Sequence, residues 1–493
     1  METQRWASSV YAAALLGLVL VQASCSPTAG PDIELPTGTP SGEAPALLLV
    51  DVDGATTKPG EAASLRVRPV DPVSLEDVPG RQPLSLENNY TSALSPDGRT
   101  LAAITWPMNR MANRGGVLHL IDLVRWADRR TAVTFDDHVR QLLFGRDGRQ
   151  LYWVRPGPMT GEPATNPDPG VYRYDLASDK VTRVVALPAA FLPAFAGVGI
   201  AGDRMAIVGS TVGEPSPSRV AEVYVVDLAR GAIAASLELA GIRAGQVRDD
   251  GAAVSDIRSV RPAVGWDLPH GRLYVIDADD DRAAVIDLAS ATMRGPSLIR
   301  PRASLLDRLL GLISSPTEAK AESSSDRRAV VSADGRRLYL SGLRSDFVGS
   351  AGSQDPGREQ VTPLPVQVID TADMTEIGRV DLASTELALS PDGRRLLVVT
   401  NRFEPRPTGF AARTGYELRL IDTERRTPVA SIALEDRGRI LGFAPDGSAA
   451  YVAAHIGFDS TVVRRVALAD LRVQQVRKLD RGGGELLSAN AVR

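Results

Sequence analysis

Cysteine occurs once, at position 25, and histidine four times in 493 residues. That excludes a disulfide framework and a Cys/His zinc cluster, and leaves little imidazole for acid–base catalysis. Lysine is as scarce, present only at 58, 180, 320 and 478, so arginine carries nearly all the positive charge. The charge does not accumulate. Against 56 Lys+Arg stand 60 Asp+Glu, a formal net charge of −4 and not the basic excess of a nucleic-acid-binding protein. Disorder is excluded from the other side, because 43% of the residues are hydrophobic. Long helical periodicity is missing as well, which argues against an α-solenoid. The length would suit two or three ordinary domains, but one repeat architecture can also reach it.

What is present begins with an address. Arg5 opens a short charged start, Trp6 to Val21 is apolar apart from Ser8 and Ser9, and the small residues Ala23 and Ser24 precede Cys25. This is the order of parts in an export signal, read here over residues 1–24. An uncut N-terminal anchor is the competing reading. The apolar run is shorter than the roughly 20 residues of a spanning helix. Val21-Gln22-Ala23-Ser24-Cys25 resembles the lipobox of bacterial lipoproteins, with Gln22 in place of the usual apolar residue. The resemblance implies that Cys25 is diacylated, becomes the mature N-terminus and holds the protein to the extracytoplasmic side of a membrane. Two acyl chains suffice for stable anchoring. Residues 25–45 combine that cysteine with a stretch rich in Pro, Gly, Ser and Thr, a flexible tether spanning on the order of 25 Å.

From 46 to 493 the chain repeats itself. Ser95-Pro96-Asp97-Gly98-Arg99 returns as Ser390-Pro391-Asp392-Gly393-Arg394, and in weaker form at Asp147-Gly148, Asp334-Gly335 and Asp446-Gly447. Degenerate turns fall at Gly202-Asp203 and His270-Gly271 (reversed or altered in spelling). An Asp-Gly between apolar runs is a strong hairpin signal, because glycine takes positive φ without steric cost. A second element trails each turn: Ile121-Asp122-Leu123, Tyr174-Asp175-Leu176, Val226-Asp227-Leu228, Ile286-Asp287-Leu288, Ile369-Asp370-Thr371 and Ile421-Asp422-Thr423. There the carboxylate can accept nearby backbone N–H groups and start another turn. Copies recur about every 50–60 residues, the range of propeller blades.

These residues resemble the bacterial YVTN or PD40 repeats, WD40-like propellers also seen in the TolB family. The likeness covers nearly all of 46–493 and implies an all-β fold, a β-propeller of four-stranded antiparallel blades. It implies little about activity. The units run roughly 46–84, 91–135, 139–187, 195–240, 262–299, 327–383, 385–434 and 438–479, eight in all, with seven as the alternative count. The first lacks an innermost strand, and 485–492 is the candidate to supply it by pairing the chain ends.

In such a blade the first and third turns lie on one side of the disc and are tight here. Longer segments should therefore share the other side: 106–116, 155–170, 209–221, 343–364 and 401–415 between second and third strands, and crossovers 241–261 and 300–326. They contain Arg110, Arg114, Arg155, Arg344, Arg402, Arg406 and Arg413 with Trp106, Phe347, Phe403 and Phe410. Arginines and aromatics dominate binding hot spots, so this face is the expected site for an envelope protein or an anionic or carbohydrate-like component. Ordinary soluble surface in an arginine-rich chain is the competing reading. In 300–326, Ser304 and Asp307 open a short helical stripe of Leu305, Leu306, Leu309, Leu310 and Ile313, which Pro316 ends.

Catalytic motifs are sparse. Gly197-x-Gly199-x-x-Gly202 is spelled like a dinucleotide fingerprint but precedes a strand, and no G-x-S-x-G elbow occurs. Asp277, Asp279, Asp280 and Asp281 lack the glycine and terminal Glu of an EF-hand loop and read as a solvated hairpin. His119, His138, His270 and His455 are scattered and show no acidic partner in sequence. No metal and no cofactor is expected. A membrane-anchored binding or scaffolding propeller is the reading favoured. A propeller enzyme of lactonase or hydrolase type, with its site at the channel mouth, is the alternative.

Overall fold

The computed structural model describes residues 44–53, 64–87, 90–105, 116–135, 139, 141–156, 168–211, 219–248, 257–301, 321–348, 358–384, 386–406, 411–435, 437–456, 460–479 and 485–488. They form eight sheets, the blades of one propeller, each built on four antiparallel strands; the sheet of blade 6 gains three further strands, attached at its two edges by parallel pairing. The innermost strands of blades 1 to 8 are Glu485–Ser488, Tyr90–Leu94, Leu142–Phe144, Phe191–Ala201, Ala263–Asp267, Ala321–Val331, Glu386–Leu389 and Gly438–Phe443. Eight is the count, not seven. The ring closes as the repeat pattern required: Leu47 to Val50 pair antiparallel with Glu485 to Ser488, so the C-terminal strand completes the first blade. The only helix among the described residues is a single 3₁₀ turn, Leu268–His270. The helix expected at 304–313 lies outside the described residues.

One apolar cluster fills each seam between neighbouring blades. Ala206, Val208 and Val223 of blade 4 meet Leu273, Val275 and Ile286 of blade 5. At the closing seam, Leu47, Leu49, Val70 and Leu75 of blade 1 pack on Tyr451, Val463 and Leu479 of blade 8. Each such aliphatic side chain contributes about 1.5–3 kcal/mol when fully buried, so the seams are the core.

The repeated spelling has one geometry. In Ser95-Pro96-Asp97-Gly98, the Ser95 hydroxyl donates to Asp97 Oδ1 at 2.6 Å, and the same carboxylate accepts the Arg99 N–H at 3.0 Å. The bonds recur at Ser332/Asp334 and Ser390/Asp392, with Gly98, Gly335 and Gly393 at φ of 69°, 68° and 70°. After the third strand of blades 1 to 7 an aspartate works similarly, while blade 8 has Ala467 at that place: Asp122 Oδ1 accepts the N–H groups of Val124 and Arg125, both at 2.9 Å. That turn then ends in every blade on a residue with positive φ, namely Leu75, Trp126, Asp179, Gly231, Ala291, Met374, Arg426 and Leu471.

Several segments expected as loops are paired strand. In blade 6, Arg337–Val348 and Arg358–Asp370 stay paired, past one bulge between Leu340 and Gly342, out to Val348 opposite Arg358, so 343–364 is mostly a raised hairpin. Blade 7 repeats this with Arg395–Glu404 and Ala412–Asp422, paired out to Glu404 opposite Ala412. Crossover 241–261 holds a hairpin, Gly245–Arg248 with Ile257–Arg261, whose second strand runs parallel to Ser324–Asp326 of blade 6. Strands were missed there because the apolar alternation that marks a seam-facing strand fades once the hairpin leaves the disc.

Candidate functional site

In a meander of four strands the connections alternate between the two ends, which places these raised hairpins together, opposite the Ser-x-Asp-Gly turns. Blades 6 and 7 bring together most of the expected surface residues. Arg344 lies on the second strand of blade 6 opposite Thr362, and Phe347 on the same strand opposite Glu359. Arg402 and Phe403 end the second strand of blade 7 opposite Thr414 and Arg413. The Arg413 guanidinium sits 5.6 Å from the Phe403 ring centroid, within range of a cation–π contact, and Arg402, Arg406 and Arg413 are exposed. Arg155 is elsewhere, on blade 3 across the ring, 5.9 Å from the Tyr172 ring centroid. Trp106, Arg110, Arg114, Phe410 and the acylation candidate Cys25 lie outside the described residues.

A residue that sequence reasoning passed over joins the two hairpins. Glu359 is 6% exposed; its carboxylate accepts the Ser345 hydroxyl within blade 6 and the Ala411 N–H of blade 7 at 2.8 Å. A buried carboxylate is costly unless its oxygens are hydrogen-bonded, and these are. Glu359 therefore holds the hairpins as one body.

The acidic turn of blade 5 is a hairpin, but not a solvated one. Asp277 is 0% exposed; one oxygen accepts the Asp279 and Asp280 N–H groups at 2.9 and 2.8 Å, the other the Arg243 N–H at 2.7 Å. Arg243 reaches Asp279 at 2.7 Å, and Arg327 of blade 6 reaches Asp281 at 2.8 Å. Ser325 of blade 6 also donates to Asp279. The carboxylates are thus engaged by guanidinium groups and N–H donors, and the turn binds blade 5 to blade 6. Among the described residues no group of three or more His, Cys, Asp or Glu is placed to hold a metal ion.

Two of the histidines do have acidic partners, contrary to the sequence reading. His119 Nδ1 lies 2.8 Å from Asp128 and His270 Nδ1 2.7 Å from Asp267. His119 is buried on the face of blade 2 that meets blade 1. On that same face Ser92 Oγ, Thr105 Oγ1, His119 Nε2 and Asp128 Oδ1 are buried without a hydrogen-bond partner. Spacing gave no warning of this cluster, because its members come from four different strands.

Glu386 was likewise missed. It opens the innermost strand of blade 7, and its carboxylate accepts the Ile440 N–H of blade 8 at 2.7 Å. Burial pushes its carboxyl above the usual range, while that N–H and the positive charge of Arg328, Arg439 and Arg437 pull the other way. The turn aspartates move oppositely: the Arg425 N–H, ahead of the Arg395 guanidinium, holds Asp422 below the ordinary carboxylate range.

No protein-family profile matches the sequence, and no curated protein is similar to it at a significant level. Solved structures share the fold. The dihydro-heme d1 dehydrogenase NirN, solved in complex with DHE, is 15% identical at a TM-score of 0.51, covering 93% of this chain and 79% of its own. Apo AztD from Citrobacter koseri is 11% identical at a TM-score of 0.46, covering 90% and 98%. At such identities the likeness is one of propeller architecture alone.

Proposed function

We propose that this protein is a lipid-anchored, extracytoplasmic β-propeller of the YVTN/PD40 kind, acting as a binding or scaffolding module. Its partner on this reading is an envelope protein or an anionic or carbohydrate component, held by the raised hairpins of blades 6 and 7. The observation that carries the reading is the locked pair of hairpins. A buried Glu359 joins them, and they present Arg402, Arg406 and Arg413 to solvent, with Phe403 half-buried beneath Arg413. A rigid base under exposed arginines and an aromatic lowers the ordering cost of binding. Cys25, as the acylated residue, would hold this face within reach of the membrane.

The test is a pull-down from solubilised envelopes with the wild type and an R402A/F403A/R413A variant. Loss of the captured set with an unchanged melting temperature is expected; identical sets would overturn the reading. Cys25→Ser tests the anchor separately, since the protein should leave the membrane fraction.

One observation speaks for the alternative, a propeller enzyme of lactonase or hydrolase type, although it lies on the face of blade 2 that meets blade 1 and not at the channel mouth. His119 is oriented by Asp128, and Ser92 sits on the innermost strand of the same blade with its hydroxyl unpaired. Labelling by a fluorophosphonate, abolished by Ser92→Ala, would support it.

A further inference from the structure

The outermost strand of a blade leaves one edge of its sheet open, and an open edge is a template for another chain unless it is blunted. Seven of the eight edges are blunted. Blade 1 ends on a strand of only 4 residues, Leu84–Glu87. The outer strands of blades 2, 3 and 8 are charged, by Asp128, Arg129 and Arg130, by Lys180 and Arg183, and by Arg477 and Lys478. Those of blades 5 and 7 contain Pro296 and Pro428, which have no N–H to donate. Blade 6 carries Glu376, Arg379 and Asp381, and its outer strand begins already paired with Arg300 and Pro301.

Blade 4 has none of these devices. Its outer strand, Ala232–Arg243, is 12 residues long, has no proline, and from Ala232 to Ala240 holds one charge, Glu238. Bulges do not set it apart, since the outer pairing of blades 2 to 8 is bulged throughout. Between its own two bulges, Ala235 to Leu239 keep unbroken register with Val225 to Ala221. Among the described residues no strand pairs with the other edge of that run. Ala235 and Leu237 lean on the apolar seam with blade 5 and are only half-buried, while Ser236 and Glu238, on the opposite face, are exposed. Ile233, next to the run, is 37% exposed.

We propose that this edge is a dimerisation surface, on which Ala235–Leu239 of a second copy of the chain pairs antiparallel, centred on Leu237. A proline-free run with a single charge is its own complement. At that centre Ala235 lies opposite Leu239 and Ser236 opposite Glu238 of the other copy, twice each, so no like charges meet. A twofold axis perpendicular to the sheet closes the contact at two copies, where a head-to-tail contact would run on as a filament. The two blades then form one continuous sheet, and the half-buried row of Ala235 and Leu237 gains the same row alongside. The antiparallel sense inverts the second disc, so the raised hairpins of the two copies point in opposite directions. One strand pair buries less than the roughly 1,200 Å² of a stable interface, so the dimer is reversible and concentration-dependent. No hairpin residue takes part, and the proposal stands apart from the binding reading.

Sedimentation velocity of the purified protein, from low to high micromolar concentration, gives the test. The wild type should pass from monomer to dimer across that range. Ser236→Glu sets two pairs of carboxylates face to face across the axis and should weaken the dimer about tenfold. Ser236→Lys pairs each introduced ammonium with Glu238 of the other copy and should tighten it about fivefold. Ser236 is exposed, so both variants should melt as the wild type does when dilute, which separates a broken contact from a broken fold. A monomer at every concentration overturns the proposal. So does a dimer that the two variants shift in the same direction or leave unchanged, because charge at this edge would then not set it. Envelope capture by the S236E protein, whose hairpins are intact, tests the binding reading on its own, so the failure of one claim is not the failure of the other.

Discussion

The two faces of the disc use the same residues in opposite ways. On the tight-turn face, aspartates serve their own turns, one blade repeating another: Asp97, Asp334 and Asp392 each take a serine hydroxyl and a backbone N–H two residues on. Arginines there reach across seams to backbone carbonyls, as Arg81 does to Leu123, Arg294 to Ala372 and Arg477 to Leu75. On the loop face, carboxylates of the described residues work between blades: Asp281 with Arg327, Glu359 with Ala411, Glu386 with Ile440. Repetition builds the ring, and function has room only where repetition stops. Arginine suits both uses, because its fork can hold a carbonyl or a carboxylate at a seam where a lysine point charge would specify less geometry.

The sharpest break of that contrast is Asp277→Ala. It would orphan three N–H donors and leave Arg243 beside a gap at a fully buried position of the turn. Removing one member of a buried, hydrogen-bonded charge cluster costs about 3–5 kcal/mol. Urea unfolding followed by tryptophan fluorescence should show a clearly lowered midpoint. A loss no larger than that of an exposed turn aspartate would mean the seam between blades 5 and 6 is not held by charge.

That exposed counterpart is Asp334→Ala. The Ser332 hydroxyl, then the Arg336 N–H, hold the Asp334 carboxyl below its ordinary value of 3.8. Its loss should cost about 1 kcal/mol, one net hydrogen-bonding site at the surface. The pH dependence has a definite sign. A lowered carboxyl contributes stability above the unfolded value near 3.8, and that contribution fades as pH falls through the folded value. The wild type should therefore lose more than D334A on acidification below pH 4. Glu386 runs the other way: its raised carboxyl favours the folded state at low pH, and that contribution is lost as pH rises above the ordinary 4.5.

The same division explains how much could be read in advance. Tight turns and third-strand aspartates were legible because their chemistry demands particular residues: an acceptor at Asp97, a positive φ at Gly98. From these the blade count and the closure by 485–488 followed. The left-handed residue ending each third turn was invisible, since Leu75, Trp126, Ala291 and Arg426 share a backbone conformation and nothing else. Interblade bonds such as Glu359 to Ala411 were invisible for another reason, because they join residues 52 positions apart with no spacing rule. Arg344, Arg402 and Arg413 were found as residue types in long segments, not as neighbours.

The smallest prediction probes whether tight-turn blades are interchangeable in energy as well as shape. Ala291 and Gly231 occupy the same position in blades 5 and 4, at φ of 53° and 65°. A side chain in that conformation costs roughly 1 kcal/mol, which glycine avoids while losing more chain entropy on folding. Ala291→Gly should therefore stabilise by a few tenths of a kcal/mol, the relief of strain less the entropy and the lost methyl contact. Gly231→Ala should destabilise by about 1–2 kcal/mol, since strain is added and the new Cβ would lie 3.1 Å from the Val184 carbonyl oxygen. Opposite signs in thermal melts would establish that the position itself, repeated around the ring, sets the energy. Equal signs would show that each blade has found its own solution on the tight face too.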